Sequence, residues 1–250
     1  MRDGIRDKVV IVTGASSGIG EGAALELVRC GAKVAITARR RDRLEQLAQQ
    51  LGDAGNDDNV LAVPADVTKR AQVNAVVEAT LDRFGRIDVL FNNAGVMPLS
   101  FMRKLHVEEW DEMIDVNLKG LLYFIAGVLP SMLDRDAGHI INVASTAGHR
   151  VFPAGAVYCA TKFGVRAISE GLRAELHPHT KIRVSIISPG IVKTELADRI
   201  TDEDVKNQPL RTQIRPLMPE DIARALVYTI EQPPHVDVNE ILIRPTDQPH

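Results

Sequence analysis

Thr13-Gly14-Ala15-Ser16-Ser17-Gly18-Ile19-Gly20 lies between the apolar run Lys8–Val12 and the helical pattern Ile19–Arg29. Glycines let the backbone turn tightly and approach a ligand, and the start of the following helix offers free N–H groups to a pyrophosphate. The spacing is Gly-x3-Gly-x-Gly, which differs from the general dinucleotide fingerprint. The placement predicts a dinucleotide-binding loop; a tight turn without a ligand is the alternative. Its predicted binding residues are Gly14, Ser16, Ser17, Gly18, Ile19 and Gly20.

Short apolar runs alternate with amphipathic helical patterns along the whole chain. Apolar runs of this kind are typical of strands buried on both faces of a parallel sheet. The predicted strands are Lys8–Val12, Val34–Ala38, Val60–Val63, Ile87–Phe91, Ile140–Val143, Val184–Ile187 and Glu240–Ile243. The predicted helices are Ile19–Arg29, Arg41–Leu51, Ala71–Phe84, Glu109–Leu133, Val157–Leu176 and Glu220–Ile230. We expect an α/β fold, a single doubly wound Rossmann-type domain over residues 1–250 with a seven-stranded, mainly parallel sheet and helices on both faces.

Pro130 and the stretch Ile191–Pro219 interrupt this regular pattern. Pro130 is expected to kink the long helix Glu109–Leu133 near its end. The polar stretch Ile191–Pro219 has no clear helix or strand pattern, and an irregular segment of that length in a compact domain is usually functional or disordered. We expect it to be a functional or disordered insert within the single domain.

Composition excludes several classes of protein. The 250 residues contain 30 Lys+Arg against 33 Asp+Glu, a net charge of −3 that is too balanced for a nucleic-acid binder. Two cysteines with no ligand spacing predict neither a disulfide framework nor a metal site. The charged N-terminus lacks the apolar core of a signal peptide, and no apolar run has the length of a membrane span. We expect a cytoplasmic protein without nucleic-acid or membrane partners.

Three arginines follow the second predicted strand, as Ala38-Arg39-Arg40-Arg41. In dinucleotide folds an acid at this strand end binds the ribose of NAD, whereas an arginine suits the 2′-phosphate of NADP. No acid occurs before Asp42, and cations at a helix start oppose the helix dipole, so an external anion is expected. The pattern favours NADP over NAD, with a solvated basic helix start as the alternative.

Tyr158 and Lys162 are four positions apart on a predicted helix and therefore share a face. A nearby cation lowers the pKa of a phenol and makes it a usable acid or base near neutrality. Ser145 follows the fifth predicted strand, where open α/β sheets place ligands; a strand-end turn or cap is its alternative. Asn117 lies in the long helix although Asn is a poor helix former. It is interpreted as holding a water in a proton relay, or as a solvent-facing polar residue.

Together these motifs resemble the short-chain dehydrogenase/reductase family over essentially the whole chain. The resemblance rests on Thr13–Gly20, Asn92-Asn93-Ala94-Gly95, Asn117, Ser145, Tyr158-Cys159-Ala160-Thr161-Lys162 and Pro189-Gly190. It implies an NADP(H)-dependent oxidoreductase in which Tyr158 exchanges a proton with the substrate oxygen and Ser145 binds that oxygen. It also implies that Lys162 lowers the Tyr158 pKa and holds the nicotinamide ribose.

The resemblance implies the remaining cofactor contacts as well. Asp66 and Val67 would flank the adenine, and Arg39, with Arg40 second, would bind the 2′-phosphate. The residues expected to line the cofactor elsewhere are Asn93, Ala94, Gly95, Pro189, Gly190, Val192 and Thr194.

The substrate is expected to be a small carbonyl or alcohol. Its expected contacts, besides Ser145, are Met97, Val151, Phe152 and Ile191, and Arg150 is either a carboxylate receptor or a solvated charge. The C-terminus is similar to a subgroup acting on small hydroxy acids and aldehydes, including serine-type dehydrogenases. The insert Ile191–Pro219 resembles the mobile substrate lid of the family. Two alternatives stay open. One is a 3-oxoacyl-acyl-carrier-protein reductase, whose basic docking patch would use residues such as Arg103, Lys104, Lys193 and Arg199. The other is a non-catalytic NADP-sensing regulator. The resemblance implies a homotetramer.

Overall fold

The computed structural model describes residues 4–55, 57–207 and 214–248. Seven strands form one sheet in the order β3-β2-β1-β4-β5-β6-β7, and every neighbouring pair is parallel. The strands are β1 (Val9–Thr13), β2 (Lys33–Thr37), β3 (Val60–Ala62), β4 (Val89–Asn92), β5 (Gly138–Val143), β6 (Ile182–Pro189) and β7 (Glu240–Ile243). The predicted single doubly wound α/β fold is confirmed.

Helices cover both faces of this sheet. They are α1 (Gly18–Arg29), α2 (Arg41–Ala54), α3 (Arg70–Phe84), α4 (Val107–Ile114), α5 (Leu121–Asp134), α6 (Ala156–Leu176), α7 (Glu203–Lys206) and α8 (Pro219–Glu231). Because successive strand residues point to opposite faces, Val10 and Val12 pack with α1, α2 and α8, whereas Ile11 packs with α3, α5 and α6. The near-continuous apolar strands therefore contribute side chains to two hydrophobic cores, one on each face of the sheet.

The predicted helix Glu109–Leu133 is one continuous helical rod, but it is not uniform. A π-helical segment, Asp115–Gly120, joins α4 to α5, and Pro130 lies inside α5, which continues to Asp134. The rod from Val107 to Asp134 has the length and composition of a membrane span. Phe124, Val128 and Met132 are fully buried in the core, so we interpret it as a core helix.

The described residues of the stretch Ile191–Pro219 include regular structure that the sequence pattern does not predict. The stretch contains a 3-10 turn (Glu195–Arg199) and α7, and its ends are paired by a bridge between Val192 and Leu217. Residues 208–213 of this stretch lie outside the described residues. We refer to residues 191–207, which precede this gap, as the insert.

From β1 the chain adds β2 and β3 toward one edge of the sheet, and it then returns to add β4 to β7 toward the other edge. This topological switch lies between β1 and β4, which are hydrogen-bonded neighbours in the middle of the sheet. In open α/β sheets the carboxyl ends of the strands form a ligand crevice at this point. The loops after β1, β2, β4, β5 and β6, which carry most predicted site residues, converge on that crevice.

Candidate active site

The glycine loop after β1 has the conformation that its sequence predicts. Gly14 and Gly18 adopt positive φ angles of 66° and 58°. A Cβ on Gly20 would lie 2.4 Å from the Gly14 carbonyl oxygen, so only glycine fits where α1 starts against the loop. The N-cap residue Ser17 makes no side-chain cap hydrogen bond, which leaves the first N–H groups of α1 available to a ligand.

Polar side chains join this loop to the end of β4. The Thr13 hydroxyl accepts hydrogen bonds from the backbone N–H groups of Asn93 and Ala94, each at 2.9 Å. The Asn93 amide donates to the Thr13 carbonyl at 2.9 Å. A Cβ on Gly95 would lie 3.3 Å from the Asn117 Oδ1 and 3.7 Å from the Lys162 Nζ, so Gly95 borders the predicted catalytic residues.

These features fit a dinucleotide. The cradle of glycines and the open helix start suit a pyrophosphate, as in other strand–loop–helix phosphate sites. On the neighbouring β3 side, Asp66 is fixed by hydrogen bonds that its Oδ1 accepts from Thr68, and Val67 packs on Gly120. Both predicted adenine-flanking residues thus lie on the crevice side of β3.

The three arginines differ in what they contact. Arg40 donates to the hydroxyls of Ser16 and Ser17 at 3.0 and 2.7 Å, and so closes over the glycine loop. Arg39 instead lies 3.7 Å from Glu112 on α4, and Arg41 pairs with Glu45 one turn along α2. Each of the three arginines has a carboxylate partner within the chain, so their charges are balanced without the external anion that was expected.

Asn117 is only 2% exposed and occupies the π-helical segment. Its side chain accepts from the Val96 N–H at 2.8 Å and donates to the Val96 carbonyl at 3.0 Å. It also donates to the Thr161 hydroxyl at 3.1 Å, on the helix of Tyr158 and Lys162. The reading as a solvent-facing residue is therefore wrong, since Asn117 is buried and ties the β4 loop to α6.

Tyr158, Lys162 and Ser145 come together in this crevice. The Lys162 Nζ donates to the Val143 carbonyl at 2.9 Å and lies 5.9 Å from the centre of the Tyr158 ring. The Ser145 hydroxyl accepts from the Ala147 N–H at 3.1 Å and donates to the Pro189 carbonyl at 3.3 Å. Ser145 also caps the 3-10 turn Thr146–Gly148, so its alternative interpretation as a cap is confirmed, and its role in binding substrate stays a prediction.

Burial shifts the pKa values of both Tyr158 and Lys162 on α6. It raises the pKa of the Tyr158 hydroxyl to about 12, and the Ser145 hydroxyl offsets only part of that rise. It lowers the pKa of the Lys162 amine to about 8. The expected lowering of the Tyr158 pKa by Lys162 is not met in this structure, because desolvation outweighs a cation that lies against the Val143 carbonyl.

The residues after β6 are held from two sides. The Gly190 N–H donates to Ile243 at 2.7 Å, and the Ile191 N–H donates to the Gln248 side chain at 2.9 Å. Thr194 begins the 3-10 turn of the insert, and a Cβ on Gly18 would lie 2.8 Å from its methyl group. The start of the insert therefore packs directly on the glycine loop.

The predicted substrate residues differ in how far their side chains are exposed to solvent. Met97 and Phe152 are partly buried against the core cluster to which Tyr158 belongs, and Ile191 is partly buried. Val151 is 64% exposed, and Arg150 is also exposed, with no ion pair among the described residues. Met97, Phe152 and Ile191 are therefore better shielded from solvent than Val151, and the substrate contacts of all four stay a prediction.

Three carboxylates with structural links to the site were missed from the sequence. Glu195 in the insert binds Arg40 and Arg43, and Glu112 on α4 binds Arg199. Glu240 at the start of β7 binds His149, just beyond the turn that follows Ser145. Their partners are distant in the chain, so no spacing pattern could have indicated them.

Comparisons with known proteins agree with this geometry. The short chain dehydrogenase family matches residues 8–205. An uncharacterized oxidoreductase from Staphylococcus saprophyticus is 51% identical over 245 residues, covering 98% of each chain. Serine dehydrogenase in its closed form with NADP+ has a TM-score of 0.89 at 38% identity, covering 97% of this chain and 96% of that one. A 3-ketoacyl-(acyl-carrier-protein) reductase from Brucella melitensis with NADH has a TM-score of 0.85 at 34% identity, covering 96% and 98%.

The family predicted from the motifs is thus confirmed, and the NADP+ bound to serine dehydrogenase accords with the predicted cofactor. A nicotinamide dinucleotide suits the glycine loop, the open start of α1 and the crevice that holds Tyr158. This chain belongs to the short-chain dehydrogenase/reductase family and is an oxidoreductase that acts on CH–OH and C=O groups.

Proposed function

We propose that this protein transfers a hydride between NADP(H) and a small carbonyl or alcohol, with Tyr158 as the general acid or base. The observation that carries this proposal is the arrangement of buried Tyr158 and Lys162 with partly buried Ser145 in one crevice. NADPH, when bound, supplies the hydride. A phenol with a pKa of about 12 is protonated at neutral pH and can donate its proton to a carbonyl oxygen.

The other residues position the reacting groups. The Ser145 hydroxyl, oriented by Ala147 and Pro189, binds the substrate oxygen. The Lys162 amine keeps a proton at neutral pH, because its pKa is about 8, and it stabilises negative charge that develops on Tyr158. Asn117 holds the β4 loop at the distance from α6 that this geometry requires.

Cofactor choice follows from the arginines. Arg40 carries a guanidinium fork beside Ser16 and Ser17, and such a fork binds a phosphate through two parallel hydrogen bonds. We therefore assign Arg40 as the main partner of the 2′-phosphate and Arg39, which faces Glu112, as the secondary one. This reverses the ranking that the resemblance implied.

Ion pairs of the basic residues near the crevice favour a small substrate over a carrier-bound one. A carrier protein is acidic and needs unpaired basic residues near the entrance. Here Arg103 and Lys104 pair with Asp204, and Arg199 pairs with Glu112, so most of that patch is neutralised within the chain. The similarity to serine dehydrogenase supports a small hydroxy acid or aldehyde as substrate.

Assembly and location are part of the proposal. Tyr228 on α8 and Leu242 on β7 are 54% and 45% exposed, and apolar side chains on α5 and α6 are exposed as well. Two exposed apolar faces suit a homotetramer, because each face can pair with a different copy of the chain. Light scattering would measure the mass of the assembly, and a monomer would contradict the proposal. Because Cys30 and Cys159 form no disulfide, a reducing, cytoplasmic setting is consistent with the chain.

NADPH oxidation against a panel of aldehydes, ketones and free 3-oxo acids tests the proposed reaction. Tyr158→Phe should reduce turnover by about 10²–10⁴-fold while NADPH binding persists. Tyr123→Phe, on α5 and outside the crevice, is the matched control and should keep full activity. Retained turnover in Tyr158→Phe would refute the assignment, and activity only on a carrier-bound substrate would favour the acyl-carrier-protein alternative. Binding without any turnover would favour a regulator.

A further inference from the structure

Glu195 binds the arginines that face the glycine loop from a position far along the chain. Its two carboxylate oxygens contact the Arg40 Nη1 at 2.7 Å and the Arg43 Nη1 at 2.5 Å. These hydrogen bonds lower the pKa of Glu195 to about 2, so the carboxylate is charged at any physiological pH. A permanent anion is therefore held in the arginine pair.

This anion occupies the place that the proposed cofactor contact needs. The same Arg40 guanidinium donates to the Ser16 and Ser17 hydroxyls, so Glu195 and the glycine loop share one arginine. Thr194, the residue before Glu195, packs on Gly18. The insert thus reaches the phosphate-binding end of the crevice through two adjacent residues.

A carboxylate and a phosphate compete for an arginine fork because both accept two parallel hydrogen bonds from it. The phosphate of a 2′-phosphorylated nucleotide carries more charge than one carboxylate. The Glu195 side chain is 45% exposed, and solvent-exposed ion pairs are weak enough to be exchanged. A nucleotide with a free 2′-hydroxyl brings no charge at the 2′ position to displace it.

We propose that Glu195 is an internal competitor for the 2′-phosphate site and thereby a determinant of cofactor affinity. A 2′-phosphorylated nucleotide displaces Glu195 from Arg40 and Arg43, whereas a nucleotide without that phosphate leaves it in place. Displacement frees the start of the insert, while Arg199 and Asp202 still hold its middle on α4 and on Phe101. This inference rests on the proposed binding of the 2′-phosphate at Arg40.

Calorimetric titration of the full-length protein with 2′,5′-ADP and with 5′-AMP tests the competition without any turnover. Glu195→Gln should bind 2′,5′-ADP about three- to tenfold more tightly than the wild type, since two exposed ion pairs no longer compete. Its affinity for 5′-AMP should not change. Asp198→Asn removes the same charge from the same exposed turn and should change neither affinity. Glu195→Ala repeats the test without an amide that still accepts a hydrogen bond.

The outcomes separate the two proposals. Weaker or unchanged 2′,5′-ADP binding in both Glu195 variants would overturn the competition, because the carboxylate would then hold the arginines in place or act elsewhere. Arg40→Met tests the contact on which the competition depends. If the wild type binds 2′,5′-ADP no better than 5′-AMP and Arg40→Met changes nothing, the proposed 2′-phosphate site itself fails.

Discussion

The side chain of Asn117 pairs with both backbone polar groups of Val96, accepting from its N–H at 2.8 Å and donating to its carbonyl at 3.0 Å. This reciprocal pair fixes the loop after β4 to the π-helical turn between α4 and α5. Because Val96 is buried, its N–H and carbonyl have no access to solvent. The side chain of Asn117 therefore links the β4 loop and, through Thr161, the α6 side of the crevice.

Asn117→Ala should destabilise the protein by about 1–3 kcal/mol, since it leaves buried backbone groups unpaired. Activity should fall further than stability alone explains, because the α6 side of the crevice loses its link to the β4 loop. Thr161→Val removes only the third contact of Asn117 and should lose less of both. Urea unfolding and steady-state kinetics of the two variants measure the difference; equal losses would contradict this role.

Lys162→Met should stabilise the protein near pH 7 while abolishing efficient turnover. The amine has a pKa of about 8 when folded and 10.5 when unfolded, so the unfolded chain binds more protons between these values. Wild-type stability therefore rises with pH in that window, and burial of the charge costs at most about 3 kcal/mol below it. The advantage of Lys162→Met in melting temperature should shrink between pH 7 and about pH 9.5.

Lys119→Met is the matched control for this pH dependence. Hydrogen bonding to Asp115 raises the pKa of the Lys119 amine, so it stays protonated throughout the same pH range whether folded or unfolded. Its stability difference from the wild type should be flat from pH 7 to about pH 9.5. A flat profile for Lys162→Met as well would show that burial does not depress the Lys162 pKa.

Arg40→Met should lower the ratio of NADPH to NADH efficiency by about tenfold or more, because a lost charge-assisted fork costs roughly one factor of ten or greater. Arg39→Met should lower it less, since Arg39 faces Glu112 rather than the glycine loop. Arg41→Met, whose side chain pairs with Glu45, is the control and should leave the ratio unchanged. The reverse order of Arg39 and Arg40 would restore the ranking expected from the sequence resemblance.

Glu240→Gln should weaken the hydrogen bonds that hold the two segments on either side of the Ser145 hydroxyl. The carboxylate accepts from His149 at 2.6 Å and from Ser188 at 2.5 Å, on the two segments that flank the Ser145 hydroxyl. We expect a several-fold loss of kcat with a smaller change in the substrate KM. Glu175→Gln, an exposed change on α6, should affect neither. Equal kinetics of Glu240→Gln and the wild type would count against this support.

The same substitution has a defined pH signature. Burial opposes ionisation of Glu240, but hydrogen bonds from Ser188 and His149 outweigh it and lower its pKa. A depressed carboxylate pKa contributes stability above the unfolded value that is lost as the pH falls through the folded one. The stability gap between the wild type and Glu240→Gln, about 1 kcal/mol after solvent screening, should therefore close on acidification. A gap that persists at low pH would contradict an electrostatic origin.

Most of the fold could be predicted from local patterns. Apolar runs, glycine turns and helical periodicity are short-range properties, because they reflect backbone sterics and the face that each element must bury. The glycine loop, the Tyr158–Lys162 spacing and the position of Ser145 are local in the same sense. They were sufficient to indicate the family and the reaction class.

Other features arise only when distant segments meet. The π-helical turn that buries Asn117, the pairing of Val192 with Leu217 and the pKa values of Tyr158 and Lys162 depend on packing across the crevice. The arginines show the difference most clearly. Their charge and position were evident from residues 39–41, but which of them faces the glycine loop, and that Glu195 already binds it, follows from contacts across about 155 positions of chain. The energy between two charges depends on their distance in space. For residues far apart in the chain, that distance is set only when the whole fold has formed.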